Sequence, residues 1–222
     1  KIQSGRLDIV FICNPNNPTG SLVDREQLKR LAAAAWSRNT MVVVDESFMD
    51  FLPDSGDYTV RDLVGSFPNL VILHSLTKIY AIPGLRLGFM LSQPELTKML
   101  HGHKDPWNVN SLAQAAGVAA INDAEYIFAS RQLISAEKER FYWQLERLPG
   151  CRPFKPAANF ILVDIAGTGK TASQLRQDLL PYGILIRDCS NYPGLADTYI
   201  RLAVKLPAQN DRLVEILKEI LR

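Results

Sequence analysis

The chain has 222 residues, 47% of them apolar and 22% charged, a balance that excludes disorder for its bulk and suits a globular protein with a core of its own. Its 25 Lys and Arg against 23 Asp and Glu leave a formal charge of +2, too small to argue for a nucleic-acid or acidic-membrane partner. No apolar run nears the ~20 residues of a membrane span, the Lys1–Ile2–Gln3 opening has no leader pattern, and three scattered cysteines (Cys13, Cys151, Cys189) suit a reducing cytoplasm rather than a disulfide framework.

Asp8–Cys13 (DIVFIC) is a β-branched run of buried-strand type, and Met41–Asp45 (MVVVD) and Leu70–His74 (LVILH) repeat it. Between the first two, Asp24–Arg38 sets Leu28, Leu31, Ala32 and Ala35 at helical spacing, with Asp24 and Gln27 as a variant capping box. Strand, helix, strand in about 40 residues is a βαβ unit and predicts a parallel sheet. Arg86–Ser92 reads as a further strand, and Pro94 to Leu148 as mostly helical. A long amphipathic stretch over Asp123–Arg147 carries an apolar core stripe that includes Ile127, Ile134 and Phe141. Pro149, Gly150, Pro153 and Pro156 then break the pattern, so the expected domains are 1–148 and 149–222. The second has strands at Asn159–Ile165, Ile184–Arg187 and Tyr199–Val204 and helices near Ala172–Leu180 and Ala208–Leu221. The fold class is α/β: a large domain with a mostly parallel sheet and a smaller C-terminal α/β domain.

Chemistry-bearing residues gather where the strands end. Asn14–Gly20 (NPNNPTG) follows the first strand, Asp45 ends the second, and the third runs into Ser75–Leu76–Thr77–Lys78, with Pro83–Gly84–Leu85–Arg86 shortly after. In open α/β sheets ligands bind beyond the carboxyl ends of strands, so the location suits a site. Pyridoxal 5'-phosphate calls for this set: a lysine for the Schiff base, a carboxylate at the pyridinium nitrogen, a donor at the ring oxygen, and hydroxyl or cationic groups for the phosphate. Lys78, Asp45, Asn17, and Ser75 with Arg86 fill those roles in order.

NPNNPTG, VVDESF, SLTK and GLRLG, in this order and spacing, resemble the fold type I pyridoxal-phosphate enzymes of the aspartate aminotransferase superfamily. The resemblance implies that Asn17 bonds the ring oxygen, Asp45 the ring nitrogen, that Lys78 forms the Schiff base and is the catalytic residue, and that Ser75 and Arg86 bind the phosphate. It implies further that Arg201 in YIRLAV holds the substrate carboxylate. SLTKIYAIPGLRLGF with PWNVN (Pro106–Asn110) and SNYPGL (Ser190–Leu195) looks like the threonine-phosphate decarboxylases of cobalamin synthesis, whose near relatives are the histidinol-phosphate aminotransferases. By that likeness Arg187 meets the phosphate of a small phosphorylated amino acid, Asn159 is a further carboxylate ligand, and the protein is a cytoplasmic homodimer without nucleic-acid or membrane partners.

Two departures stand out. Many aminotransferases place a Tyr three residues after the ring-nitrogen Asp, where this chain has Phe48, as the decarboxylases do. The long N-terminal part of the family fold, with a Gly-rich phosphate loop and a ring-stacking aromatic, is absent, so the chain is expected to be a piece of such an enzyme or a non-catalytic module derived from one. Trp107 with Asn108 and Asn110 either lines the site or packs in a core or subunit contact. His101–Gly102–His103 has metal-like spacing but lacks further ligands, and no metal is expected. Gly167–Thr171 (GTGKT) imitates the tail of a phosphate loop, but the motif's first glycine falls on Asp164, so it reads as a turn.

Overall fold

A computed structural model of the chain describes residues 7–221. The chain forms two compact units, one built up to Asn16 and over Leu22–Arg131, the other from Asn17–Ser21 and from Gln132 onward. The division falls within a helix and not at Pro149. The reason is packing: Phe141, Leu145 and Leu148, on the far side of the division, are all buried in the core of the second unit.

In the first unit β1 (Ile9–Cys13), α1 (Arg25–Trp36), β2 (Met41–Asp45) and β3 (Leu70–Ser75) follow the expected βαβ order. α2 (Leu76–Ile79) and β4 (Gly88–Leu91) come next, followed by α3 (Pro94–His101), α4 (Ser111–Ile121) and the start of α5 (Ala124–Glu146). The sheet order is β1-β2-β3-β4, the first three strands parallel and the last antiparallel. Continuous apolar β2 and β3 are buried on both faces, as parallel strands require. The Asp24 side chain caps α1 by accepting from the Gln27 N–H at 2.7 Å. Leu28 and Ala35 of α1 then bury against Val42, Val44, Leu70 and Ile72. The strand expected from Arg86 starts only at Gly88, because Arg86 is left-handed (φ 52°). Trp107, 93% exposed, is no core residue, and Asn110 serves as the N-cap of α4.

The second unit holds an antiparallel sheet of order β5-β6-β8-β7: β5 (Arg152–Pro153), β6 (Phe160–Asp164), β7 (Arg187–Asp188) and β8 (Tyr199–Ala203). Its core joins Phe141 and Leu145 of α5, Leu175 and Leu179 of α6 (Ala172–Leu179), and Leu217 of α7 (Pro207–Ile220) to Ile161, Ile200 and Leu202 of the sheet. The strand expected over Ile184–Arg187 shrinks to β7. The Ile184 N–H is drawn back to the Leu179 carbonyl through a turn at left-handed Gly183, so sheet pairing begins only at Arg187. Among the described residues no helix is long and apolar enough to cross a membrane.

Candidate active site

Parallel pairing brings three strand ends to one edge. Cys13, Asp45 and Leu73 form one row across β1, β2 and β3, so the loop that opens at Asn14, the Asp45 carboxylate and the Ser75–Lys78 segment leave the sheet on the same side. Asp45 Oδ1 accepts from the Ser47 N–H (2.9 Å) and hydroxyl (2.5 Å), while Oδ2 has no hydrogen bond among the described residues. Ser47 therefore fixes the carboxylate and leaves one oxygen for a ligand.

Ser75 caps α2 by accepting from the Thr77 N–H, and its Oγ lies 2.7 Å from Thr77 Oγ1. Two hydroxyls thus stand together where the sequence pointed to one. Thr77 was legible only as the third residue of SLTK. The Lys78 side chain, on the exposed side of α2, has no hydrogen bond or ion pair among the described residues, and its Nζ sits 5.8 Å from the centre of the Phe48 ring. Arg86 follows the Pro83–Leu85 turn, its Nη1 donating to the Pro83 carbonyl at 3.3 Å. Gly88 is obligatory beside it: a Cβ there would meet the His74 carbonyl oxygen at 2.6 Å.

The first Asn of NPNNPTG has a role that sequence reasoning missed. Fully buried Asn14 accepts the Val23 N–H at 2.9 Å and donates to the carbonyls of Val23 (3.1 Å) and Tyr58 (3.3 Å), pinning the loop where it leaves β1. Three bonds through one amide commit both its N–H groups and one oxygen lone pair to holding the loop.

In the second unit Arg201 donates through Nη1 to Asn17 Oδ1, and its guanidinium lies 5.0 Å from the Phe160 ring centre. With Oδ1 engaged, the Asn17 amide is oriented with its NH₂ as the remaining donor, without a hydrogen bond among the described residues. Arg187 of β7 stands directly opposite Arg201 of β8, so both side chains leave the same face of the sheet. Arg187 lies over the Tyr192 ring at 5.7 Å and reaches Asn191 Oδ1 at 3.4 Å. Asn159 precedes β6, where its carbonyl accepts the Val204 N–H.

Asp45, Ser75, Thr77, Lys78 and Arg86 thus belong to the first unit, and Asn17, Asn159, Arg187 and Arg201 to the second. The donor set of the first unit fits pyridoxal 5'-phosphate: an amine without a carboxylate partner among the described residues, an acid with one oxygen spare, paired hydroxyls and an arginine. Among the described residues no three His, Cys, Asp or Glu are grouped to hold a metal ion.

Comparison with known proteins agrees with this chemistry. Residues 1–217 match the family Aminotransferase class I and II. The chain is 37% identical over 220 residues to the histidinol-phosphate aminotransferase of Methanothermobacter thermautotrophicus, covering 99% of this chain and 57% of that protein. It is 38% identical over 216 residues to the threonine-phosphate decarboxylase of Salmonella typhimurium, covering 97% and 58%. The solved structure of histidinol-phosphate aminotransferase from Sinorhizobium meliloti in complex with pyridoxal-5'-phosphate superposes with a TM-score of 0.82 at 27% identity, covering 96% of this chain and 57% of that one. The chain spans less than two thirds of the length of each.

Proposed function

The chain belongs to the class I and II aminotransferases, and on that footing we propose that it serves the decarboxylation of L-threonine O-3-phosphate to aminopropanol phosphate, the reaction of cobalamin synthesis. The observation that carries the reading is the pair Arg187 and Arg201, side by side on one face of the β7–β8 ribbon. Two guanidinium groups suit a substrate with a carboxylate at one end and a phosphate at the other, and each offers the planar fork such anions fit. Histidinol phosphate carries only one anionic group.

Lys78 would hold the cofactor through its amine, Asp45 through its ring nitrogen, Asn17 through its ring oxygen, and Ser75, Thr77 and Arg86 through its phosphate. When bound, the cofactor supplies an electron sink that makes the bonds at the substrate Cα labile. Arg201 takes the carboxylate and Arg187 the phosphate, and this two-point grip fixes which Cα bond is presented for cleavage. Loss of the carboxylate as carbon dioxide would leave its bonding pair to that sink, and a proton from Lys78 Nζ, or from an acid near it, would take its place at Cα. Phe48 beside Lys78 offers no hydroxyl to compete for that proton. We place the working protein as a cytoplasmic homodimer, in keeping with the resemblance.

A second reading is amino transfer from histidinol phosphate, favoured by the 37% identity to an aminotransferase of that name. Arg187→Leu in the complete gene product tests the phosphate grip on which the first reading rests. The phosphate grip predicts a KM for L-threonine O-3-phosphate raised about tenfold or more, the loss of one charge-assisted contact, with cofactor affinity unchanged. An unchanged KM sinks the assignment of Arg187.

A further inference from the structure

We infer that His74 is a positioning residue: on the reverse face of the strand ends that present Asp45 and Ser75, its buried imidazole closes a ring with the partly buried Asp50 and Arg61 that fixes β2 against β3 and so sets how the cofactor is held. The inference rests on the pyridoxal-phosphate reading above. Successive side chains of a strand point to opposite faces. Glu46 follows Asp45 and His74 precedes Ser75, so Glu46 and His74 share the face turned away from the site. The parallel ladder carries on through Glu46, whose N–H donates to the Leu73 carbonyl at 2.9 Å.

Arg61 bridges the two strands on that face. Its Nε donates to Glu46 Oε2 at 2.8 Å, its Nη1 to Asp50 Oδ1 at 3.1 Å, and its Nη2 lies 3.0 Å from His74 Nδ1. His74 Nε2 in turn lies 2.8 Å from Asp50 Oδ2, closing the ring. A guanidinium has no acceptor, so Nδ1 must accept from Arg61 and the single ring proton sits on Nε2, given to Asp50. The other acceptor sites are filled as well. Glu46, fully buried, also accepts from Thr59 Oγ1 (2.7 Å) and the Val60 N–H (2.8 Å), and the Asp50 carbonyl accepts from Arg131 Nε at 2.6 Å. Burial alone would raise the Asp50 carboxyl, but His74 and Arg61 outweigh it and hold it below the usual carboxylate range. Phe89 covers the imidazole at 4.8 Å between ring centres. A largely buried network whose members bond one another is rigid, and removal of one member frees the rest.

A ring that donates on one side and accepts on the other can be replaced by a glutamine amide but not by an alkyl group. In the complete gene product, His74→Ala is expected to raise the cofactor dissociation constant about tenfold, the worth of one buried link, and to shift the visible absorption of the bound cofactor. In the cofactor-free protein it should speed amide exchange in peptides covering 41–50 and 70–80. His74→Gln should restore the dissociation constant and the exchange rates to within about threefold of wild type. Leu28→Ala, which loosens the α1 side of the same unit, should lower the melting temperature and leave the dissociation constant alone. Wild-type exchange in His74→Ala, or a Gln variant no better than Ala, overturns the inference. A wild-type protein that takes up no cofactor refutes the functional reading instead, and the exchange comparison still decides the role of His74.

Discussion

Glu137→Ala should cost the second unit about 3 kcal/mol, and the structure shows where the loss arises. Glu137 of α5 is buried and accepts three hydrogen bonds, from Arg140 Nε and Nη2 and from Asn210 Nδ2, each at 2.9 Å. Arg140 continues to Asp211 Oδ1 (2.5 Å) and to the Pro207 carbonyl (3.2 Å), so one guanidinium ties α5 to the first turn of α7. The Asn210 bond is buried and keeps its full worth of about 1.5 kcal/mol, whereas the Arg140 pair is partly screened by water and adds about as much again. For a protein of this size that is a melting temperature lower by roughly 6–12 °C. The pH dependence has a definite sign. The hydrogen bonds from Arg140 hold the Glu137 carboxyl below its usual range against the opposing effect of burial, with Asn210 assisting. A carboxyl depressed in the folded state stabilises fully above its unfolded value of about 4.3 and loses that contribution as pH falls through the folded one. Melting curves of wild type and Glu137→Ala from pH 7 downward should therefore stand well apart at neutral pH and converge in acid. A gap under 2 °C at pH 7, or one that stays constant into acid, would refute this reasoning.

Two further outcomes follow from local geometry. Gly150→Ala should destabilise by about 2 kcal/mol or more, because Gly150 is left-handed (φ 75°) and a Cβ would lie 2.4 Å from the Gly167 carbonyl carbon, and calorimetry would detect it. Burial pushes the Cys151 thiol up to about 11, so at pH 8 it should react with a thiol reagent far more slowly in the folded than in the urea-unfolded protein. Equal rates would show the site is open.

The scaffold was legible because its strands are unbroken β-branched runs and its first helix carries both a cap and an apolar stripe; β1, α1, β2 and β3 lie within a residue or two of their expected bounds. The candidate site residues were picked out for a different reason. Lys78, Asp45 and Asn17 sit in short motifs at strand ends, where residue type and chemistry coincide. Hidden from the sequence were contacts between residues without a shared period. Glu46, Arg61 and His74 are 15 and 13 residues apart, and only strand pairing makes them neighbours. The division inside α5 was hidden too, since one apolar stripe runs on past Gln132 and nothing in its spacing marks where one core ends and the next begins. The pairing of Arg187 with Arg201 depends on the β7–β8 register, which the thirteen residues between them conceal.

The most direct test of the central claim is product analysis with the complete gene product, using Lys78→Ala as control. The account predicts carbon dioxide and aminopropanol phosphate from L-threonine O-3-phosphate without any oxo acid, and neither product from the control. Amine transfer from histidinol phosphate to 2-oxoglutarate, with no carbon dioxide from threonine phosphate, would contradict it and make the protein an aminotransferase.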